Sequence, residues 1–286
     1  MTVGLLEREA ASLFSSALFR PLAQGRRPVA LERSLREYAQ ARGLGRHPRH
    51  TALADAYQVL QSGYRTEHVY KNVIATRIYL GRHRATGSAL FQEFAMGGSV
   101  ADCFFVNGGT TAYEIKTEYD TPARLRKQLE DYARVATKTY VVVHISDVER
   151  YLTVLDDLPT GLLAVNSRMR LSELQPATQC HAGLDVDAMF RTLRAGEAEA
   201  IVRRATGSVP TVPNGRRFEA LREIAKQMDP VAFNREMANE LRKRAVTSAD
   251  IIRNPITAPV RAILVRIGIR GQSVEYSQRW LSEENT

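Results

Sequence analysis

Residues 99–116 read SVADCFFVNGGTTAYEIK, and this stretch decides the fold. Two short runs of apolar and β-branched residues flank Asn107-Gly108-Gly109, the composition of a tight turn between strands. Asp102, Glu114 and Lys116 interrupt those runs. A strand that is to be buried carries such groups only if they are paired or hold a metal. With Gly at the left-handed position of a three-residue loop, the register sets Asp102 opposite Glu114. Facing side chains in a hairpin lie about 4.5–5.5 Å apart at Cβ. Lys116, two residues beyond Glu114, points to the same face. Two carboxylates and an ammonium converge on one patch, the donor set for a hard divalent cation beside a fixed positive charge.

Outward from the hairpin, Ala89–Met96 reads as a preceding strand and carries Glu93. Asp120-Thr121-Pro122 is a helix start, with Pro at the first helical position. The helix runs to about Thr137 with Leu125, Leu129, Ala133 and Ala136 inward, and with Gln128 one turn before Tyr132. Thr139–Ile145 is a continuous β-branched run, the pattern of a strand buried on both faces. Tyr151–Leu155 and Gly161–Val165 are read as further strands. Residues 64–80 form an amphipathic helix, on which Glu67 and Lys71 make an i,i+4 pair.

The remainder is helical. Residues 1–20, Ala30–Arg42 and about Thr51–Gln61 form an N-terminal extension punctuated by Pro21, Gly25 and Pro28, and Gly81–Ser88 is a loop. Beyond residue 180 come Asp187–Arg204, Arg216–Met228, Pro230–Arg244 and Pro259–Ile267, rich in arginines that form either a DNA-backbone surface or a solvated helical face, with Met189, Phe190, Leu193 and Ile201 as an apolar stripe suited to a protein partner. The expected domains are 1–55, 56–170 and 171–286. The expected class is α/β, a mixed central sheet flanked by helices, with helical extensions at both ends.

The 286 residues carry a formal charge of +9 and 44% hydrophobic residues, so the chain folds and favours a polyanionic partner, nucleic acid before an anionic membrane. Two cysteines exclude a four-cysteine zinc or iron–sulfur site within the chain. No apolar run of about 18 residues suggests a membrane span. Glu7, Arg8 and Glu9 stand where a signal peptide would place its apolar core, so a cytoplasmic protein is expected. The six histidines show no metal-ligand spacing and read as surface or loop residues.

The order helix, strand, hairpin, helix, strand, with Asp102-x11-Glu114-x-Lys116 on the hairpin and Gln128-x3-Tyr132 on the next helix, resembles the PD-(D/E)XK nuclease superfamily in its RecB-like branch. The resemblance covers about residues 64–145. The surrounding phrases are similar to a family of bacterial proteins, some found in mobile elements. The Pro of the superfamily name is replaced by Ala101. The resemblance implies a restriction-endonuclease-like sheet and Mg²⁺- or Mn²⁺-dependent hydrolysis of DNA. Asp102, Glu114 and the Ile115 carbonyl would hold the metal, Lys116 would act on the attacking water or the transition state, and Gln128 would position substrate. A further metal-associated Glu is expected on the preceding helix, where Glu67 matches and Glu93 competes. Tyr132, Lys71 and Arg124 are candidates for nucleic-acid contact. The alternative is an inactive nuclease fold that binds nucleic acid or docks within a larger complex.

Overall fold

The computed structural model describes residues 4–82, 87–245 and 247–284. Residues 83–86, inside the expected Gly81–Ser88 loop and including His83, lie outside the described residues, as do residues 1–3 of the first expected helix. The chain opens with helices α1 Leu5–Ser12, α2 Ser16–Ala23, α3 Val29–Ala41, α4 Arg49–Gly63 and α5 Glu67–Ile74, which widens into π-type turns over Ala75–Arg82. Strands β1 Ala89–Met96, β2 Ser99–Val106 and β3 Thr110–Lys116 follow, then α6 Leu125–Ala133, β4 Lys138–His144, α7 Val148–Leu155, β5 Gly161–Val165 and β6 Leu171–Gln175. The C-terminal part holds α8 Val186–Phe190, α9 Ala195–Thr206, α10 Asn214–Ala225, α11 Pro230–Lys243, α12 Ala249–Arg253, α13 Arg261–Ile267 and α14 Gln272–Ser282. The fold is α/β: one six-stranded sheet in sequential order, flanked by helices, with helical N- and C-terminal regions.

The sheet is mixed: β1–β2 and β2–β3 pair antiparallel, and β3–β4 pairs parallel across the α6 crossover. Turn chemistry sets both hairpins. Gly97, at φ +58°, and Gly98 close β1–β2, with Met96 opposite Ser99. Gly108, at φ +73°, closes β2–β3, with Val106 opposite Thr110 and Cys103 opposite Tyr113. The paired register ends there; carried one step further it would set Asp102 opposite Glu114. α6 is fastened to the first hairpin by Asp131, which accepts a 2.6 Å hydrogen bond from Ser99 Oγ. Burial opposes the Asp131 charge, yet hydrogen bonds from Ser99 and the Gly98 amide, with Lys127 and Arg134 nearby, hold its carboxyl below the usual range. A Cβ on Gly97 would stand 3.1 Å from Asp131 Oδ1, so glycine serves both the turn and the fit.

Several elements depart from the sequence reading. Tyr151–Leu155 is part of helix α7, not a strand. Its inward residues, Tyr151 and Leu155, are fully buried and four apart, a helical period that a five-residue apolar run does not distinguish from a strand. β6 was not anticipated, because LSELQ is largely exposed and lacks apolar alternation. The first helix breaks at Leu13–Ser15, and Pro21 sits inside α2, where buried Phe19 and Leu22 anchor the turn around it. The Asp187–Arg204 helix is two, α8 and α9. α12 and α14 were not read.

The chain divides into two compact units, and not at residues 55 and 170. One comprises Met1–Thr86, Val165–Leu171 and Val246–Thr286, the other Gly87–Ala164 and Ser172–Ala245. In the first, the last helix returns to the N-terminal ones: Trp280 Nε1 donates to Glu32 at 2.9 Å, and Arg49 donates to the Trp280 carbonyl at 2.8 Å. Asn72 likewise donates to the Ala258 carbonyl at 2.7 Å. In the second, Phe94 and Phe104 stack at 4.7 Å under the sheet, and Asn234 of α11 donates to the Val135 carbonyl at 2.7 Å. Met189, Phe190, Leu193 and Ile201 are buried in this core, so that stripe is packed rather than open to a partner.

His68, expected on the surface or a loop, is half-buried on α5. Its ring stacks on Phe14 at 4.5 Å, and its Nε2–H donates to the Pro259 carbonyl at 2.9 Å. Burial lowers its pKa to about 4. A group depressed from about 6.5 is neutral in the folded state while the unfolded chain takes up a proton, so stability falls as pH drops through that window. Urea melts between about pH 7 and about pH 4 should show this loss. His68→Phe should flatten the slope while lowering stability at neutral pH.

Candidate functional site

The site lies on the face of β2 and β3 that α6 covers. The chain reaches it through a tight turn after β3, where Thr117 N–H and Oγ1 donate to Asp120 Oδ2 at 2.8 and 2.7 Å. Pro122–Arg124 then forms a single 3-10 turn with Pro122 at its first position, and α6 begins at Leu125. Leu125 and Leu129 are buried, which turns Gln128 and Tyr132 toward the sheet.

Glu114 is the centre of the arrangement. It is 3% exposed, and each of its carboxylate oxygens has its own donor. Lys116 Nζ donates to Oε1 at 2.7 Å, and the Tyr132 hydroxyl to Oε2 at 2.5 Å. The same ammonium donates to Gln128 Oε1 at 3.0 Å, so Lys116 bridges strand and helix. The Tyr132 proton is shared with the Val100 carbonyl, 2.8 Å away. Tyr132 is fully buried, and burial first, then the Glu114 and Asp102 charges, push its hydroxyl pKa far up. It is a fixed neutral donor. Expected to touch nucleic acid, Tyr132 instead orients Glu114, because no part of it reaches the surface.

Asp102 is half-buried and accepts the Ile115 N–H through Oδ2 at 2.6 Å. The N–H and C=O of one strand residue face the same neighbouring strand. The Ile115 carbonyl therefore lies on the Asp102 side, where the expected metal set requires it. By the register of β1 and β2, Glu93 stands opposite Asp102, between the pairs Gln92/Cys103 and Phe94/Ala101. Glu93 is exposed with φ +52°, a strained backbone for a residue with a Cβ, and such strain gathers at functional sites. Among the described residues no three His, Cys, Asp or Glu side chains are grouped to hold a metal ion, so Glu93 does not join Asp102 and Glu114 as a third carboxylate.

The other candidates lie on other elements. Glu67 belongs to the first unit, in the opening turn of α5, and pairs with Lys71 at 2.6 Å, the plain i,i+4 interaction. Lys71 is buried along its stem. Arg124 is exposed on the 3-10 turn before α6. Tyr151 was missed altogether. Its hydroxyl is buried without a hydrogen-bond partner among the described residues; burial raises its pKa, Arg150 opposes, and Asp120, Asp147 and Glu114 add to the rise. An orphaned buried hydroxyl within electrostatic reach of Glu114 asks for a ligand or water. Misreading α7 as a strand hid it, since only the helix carries Tyr151 inward.

The donor set suits a hard divalent cation. Each carboxylate oxygen retains a lone pair beyond the hydrogen bond it accepts, and two carboxylates with one carbonyl leave the remaining positions to water, as Mg²⁺ prefers. The expectation that arginines of the C-terminal helices form a nucleic-acid surface meets a different arrangement. Arg191 pairs with Asp187, Arg203 and Arg217 with Glu199, Arg204 with Glu236 and Glu240, and Arg244 with Glu197. Those charges are met within the unit.

Residues 61–262 match the family model described as bacteriophage P4 protein cII. The chain belongs to that family. The match spans β1–β6 and every candidate site residue, and the family's phage name agrees with the mobile-element resemblance of the sequence. No curated protein matches the chain. Among solved structures, a protein of unknown function from Silicibacter pomeroyi is similar at 18% identity over 45% of this chain and 87% of its own, with a TM-score of 0.30. No helix of the described residues is long and apolar enough to cross a membrane.

Tyr132→Phe removes one of two donors to a buried carboxylate, which should cost about 1–3 kcal/mol. Denaturant unfolding measures it, and unchanged stability would show that the hydroxyl does not hold Glu114.

Proposed function

We propose that the hairpin and α6 form the active site of a metal-dependent deoxyribonuclease of PD-(D/E)XK type. The observation that carries this reading is Lys116 Nζ, held at 2.7 Å from Glu114 and 3.0 Å from Gln128. Asp102, Glu114 and the Ile115 carbonyl would hold Mg²⁺ or Mn²⁺. A divalent ion there supplies a water ionised near neutral pH and offsets phosphate charge.

Hydrolysis adds water across the P–O bond, leaving a phosphate monoester and a free hydroxyl. Lys116 places a positive charge where the phosphate gains negative charge. Its hydrogen bonds to Glu114 and Gln128 fix the ammonium before substrate arrives, so little reorganisation is needed during reaction. Tyr132 keeps Glu114 in one rotamer. Defence against foreign DNA, mobile-element biology or DNA repair would use such an activity.

Linear, circular and single-stranded DNA, and RNA, incubated with Mg²⁺ or Mn²⁺ and with EDTA, test the reading. DNA should be cut only with metal. Asp102→Asn keeps an acceptor for the Ile115 amide but loses the charge; cleavage should fall by about 10²–10³-fold or more, and Mn²⁺ binding by titration calorimetry should be lost. Lys116→Met should also abolish cleavage, but it strips a buried carboxylate of its partner, which costs about 3–5 kcal/mol, so its fold must be checked alongside. Full cleavage by Asp102→Asn, or by wild type in EDTA, sinks the mechanism. Wild type that binds DNA but neither Mn²⁺ nor cuts would point to the inactive binding subunit.

A further inference from the structure

The positive charge of this protein is not spread evenly over its arginine-rich helices. The first unit, Met1–Thr86, Val165–Leu171 and Val246–Thr286, holds 21 Lys and Arg against 10 Asp and Glu, a net +11. The second, which contains the candidate active site, holds 19 against 21, a net −2. The whole excess of the chain therefore belongs to the first unit.

Within that unit two adjoining clefts of about 410 and 740 Å³ meet at Ala23, Gln24 and Arg270. Arg20 of α2, Arg266 of α13 and Arg270 line the smaller one, and Ser273 and Tyr276 of α14 line the larger. No Asp or Glu lines either cleft. Arg20 and Arg270 are exposed and make no ion pair among the described residues. This contrasts with Arg191, Arg203, Arg204, Arg217 and Arg244 of the second unit, all held by carboxylates. The guanidinium groups of Arg20 and Arg270, on a groove that no Asp or Glu lines, suit phosphate oxygens, which they engage with paired N–H donors.

We propose that this groove binds the phosphate backbone of nucleic acid, independently of base sequence. Its basic lining supplies the electrostatic affinity that the acidic second unit lacks. Such binding releases counterions, so affinity falls with salt at a slope of about 0.9 per phosphate contacted. The inference goes beyond the cleavage reading and does not require it.

The test uses the full chain, a fluorescently labelled DNA duplex of mixed sequence, and EDTA, so that binding is read without cleavage. Anisotropy titrations over a range of salt concentrations give the affinity and its salt slope. Arg20→Ala/Arg266→Ala/Arg270→Ala should weaken binding at least about tenfold and reduce the slope by about 1 per arginine removed. Arg203→Ala, at an ion-paired position, should leave the slope unchanged. If the triple variant loses its circular dichroism melt, the single variants Arg20→Gln and Arg270→Gln, at exposed side chains, carry the same measurement. An unchanged slope in the site variants overturns the proposal. So does wild type that binds phosphatidylserine vesicles but not the duplex, which would assign the groove to a membrane surface. Binding that depends on the groove, in a protein that cuts no DNA, sustains this inference while removing the catalytic one.

Discussion

A carboxylate that is 3% exposed inside a sheet needs compensation, and the region around Glu114 is built to supply it. An uncompensated buried charge costs several kcal/mol even after relaxation. Lys116 answers it from the same strand and Tyr132 from α6, so both the strand and the crossover helix are tied to one side chain. Gln128 then holds the other side of the Lys116 ammonium. Asp131 does the same kind of work one face along, clasping α6 to the Gly97-Gly98 turn through Ser99. α6 thus has two polar anchors to the hairpins and an apolar seam of Leu125 and Leu129 between them.

This arrangement gives rigidity to the groups that would do chemistry. Asp102 is half-buried where Glu114 is buried, and its Oδ2 accepts the Ile115 amide. The strained backbone at Glu93 falls where the β1–β2 pairing skips from Gln92/Cys103 to Phe94/Ala101. A buried, fully paired Glu114 beside a more accessible Asp102 places the two carboxylates in different environments, as sites that divide roles between acids do.

The division of charge gives the two units different physical characters. Ion pairs among α8–α11 make the helices of the second unit nearly neutral despite their arginine content. Partly buried pairs of this kind favour a specific arrangement of helices more than they add net stability. The first unit is left with the excess and with clefts free of acids. The positive excess and the candidate chemistry therefore belong to different parts of the chain.

Local chemistry made much of this legible in the sequence. Asn107-Gly108-Gly109 sets the hairpin register, and a register of period two assigns Asp102, Glu114 and Lys116 to one face. Pro122 starts the helix that follows, and the continuous β-branched run at β4 favours a buried strand. These features depend on neighbours within a few residues, which is why they can be read without coordinates. What tertiary structure alone decided is which groups find partners far along the chain. Tyr132 is a core donor to Glu114 because α6 lies flat on the sheet. Tyr151 faces inward because α7 is a helix. The arginines of α8–α11 meet acids up to 47 residues away, as Arg244 meets Glu197, and α14 returns to Glu32 across 248 residues. Periodicity records which face of an element is buried, but not what covers it, and the covering elements determine whether a charge is paired or available.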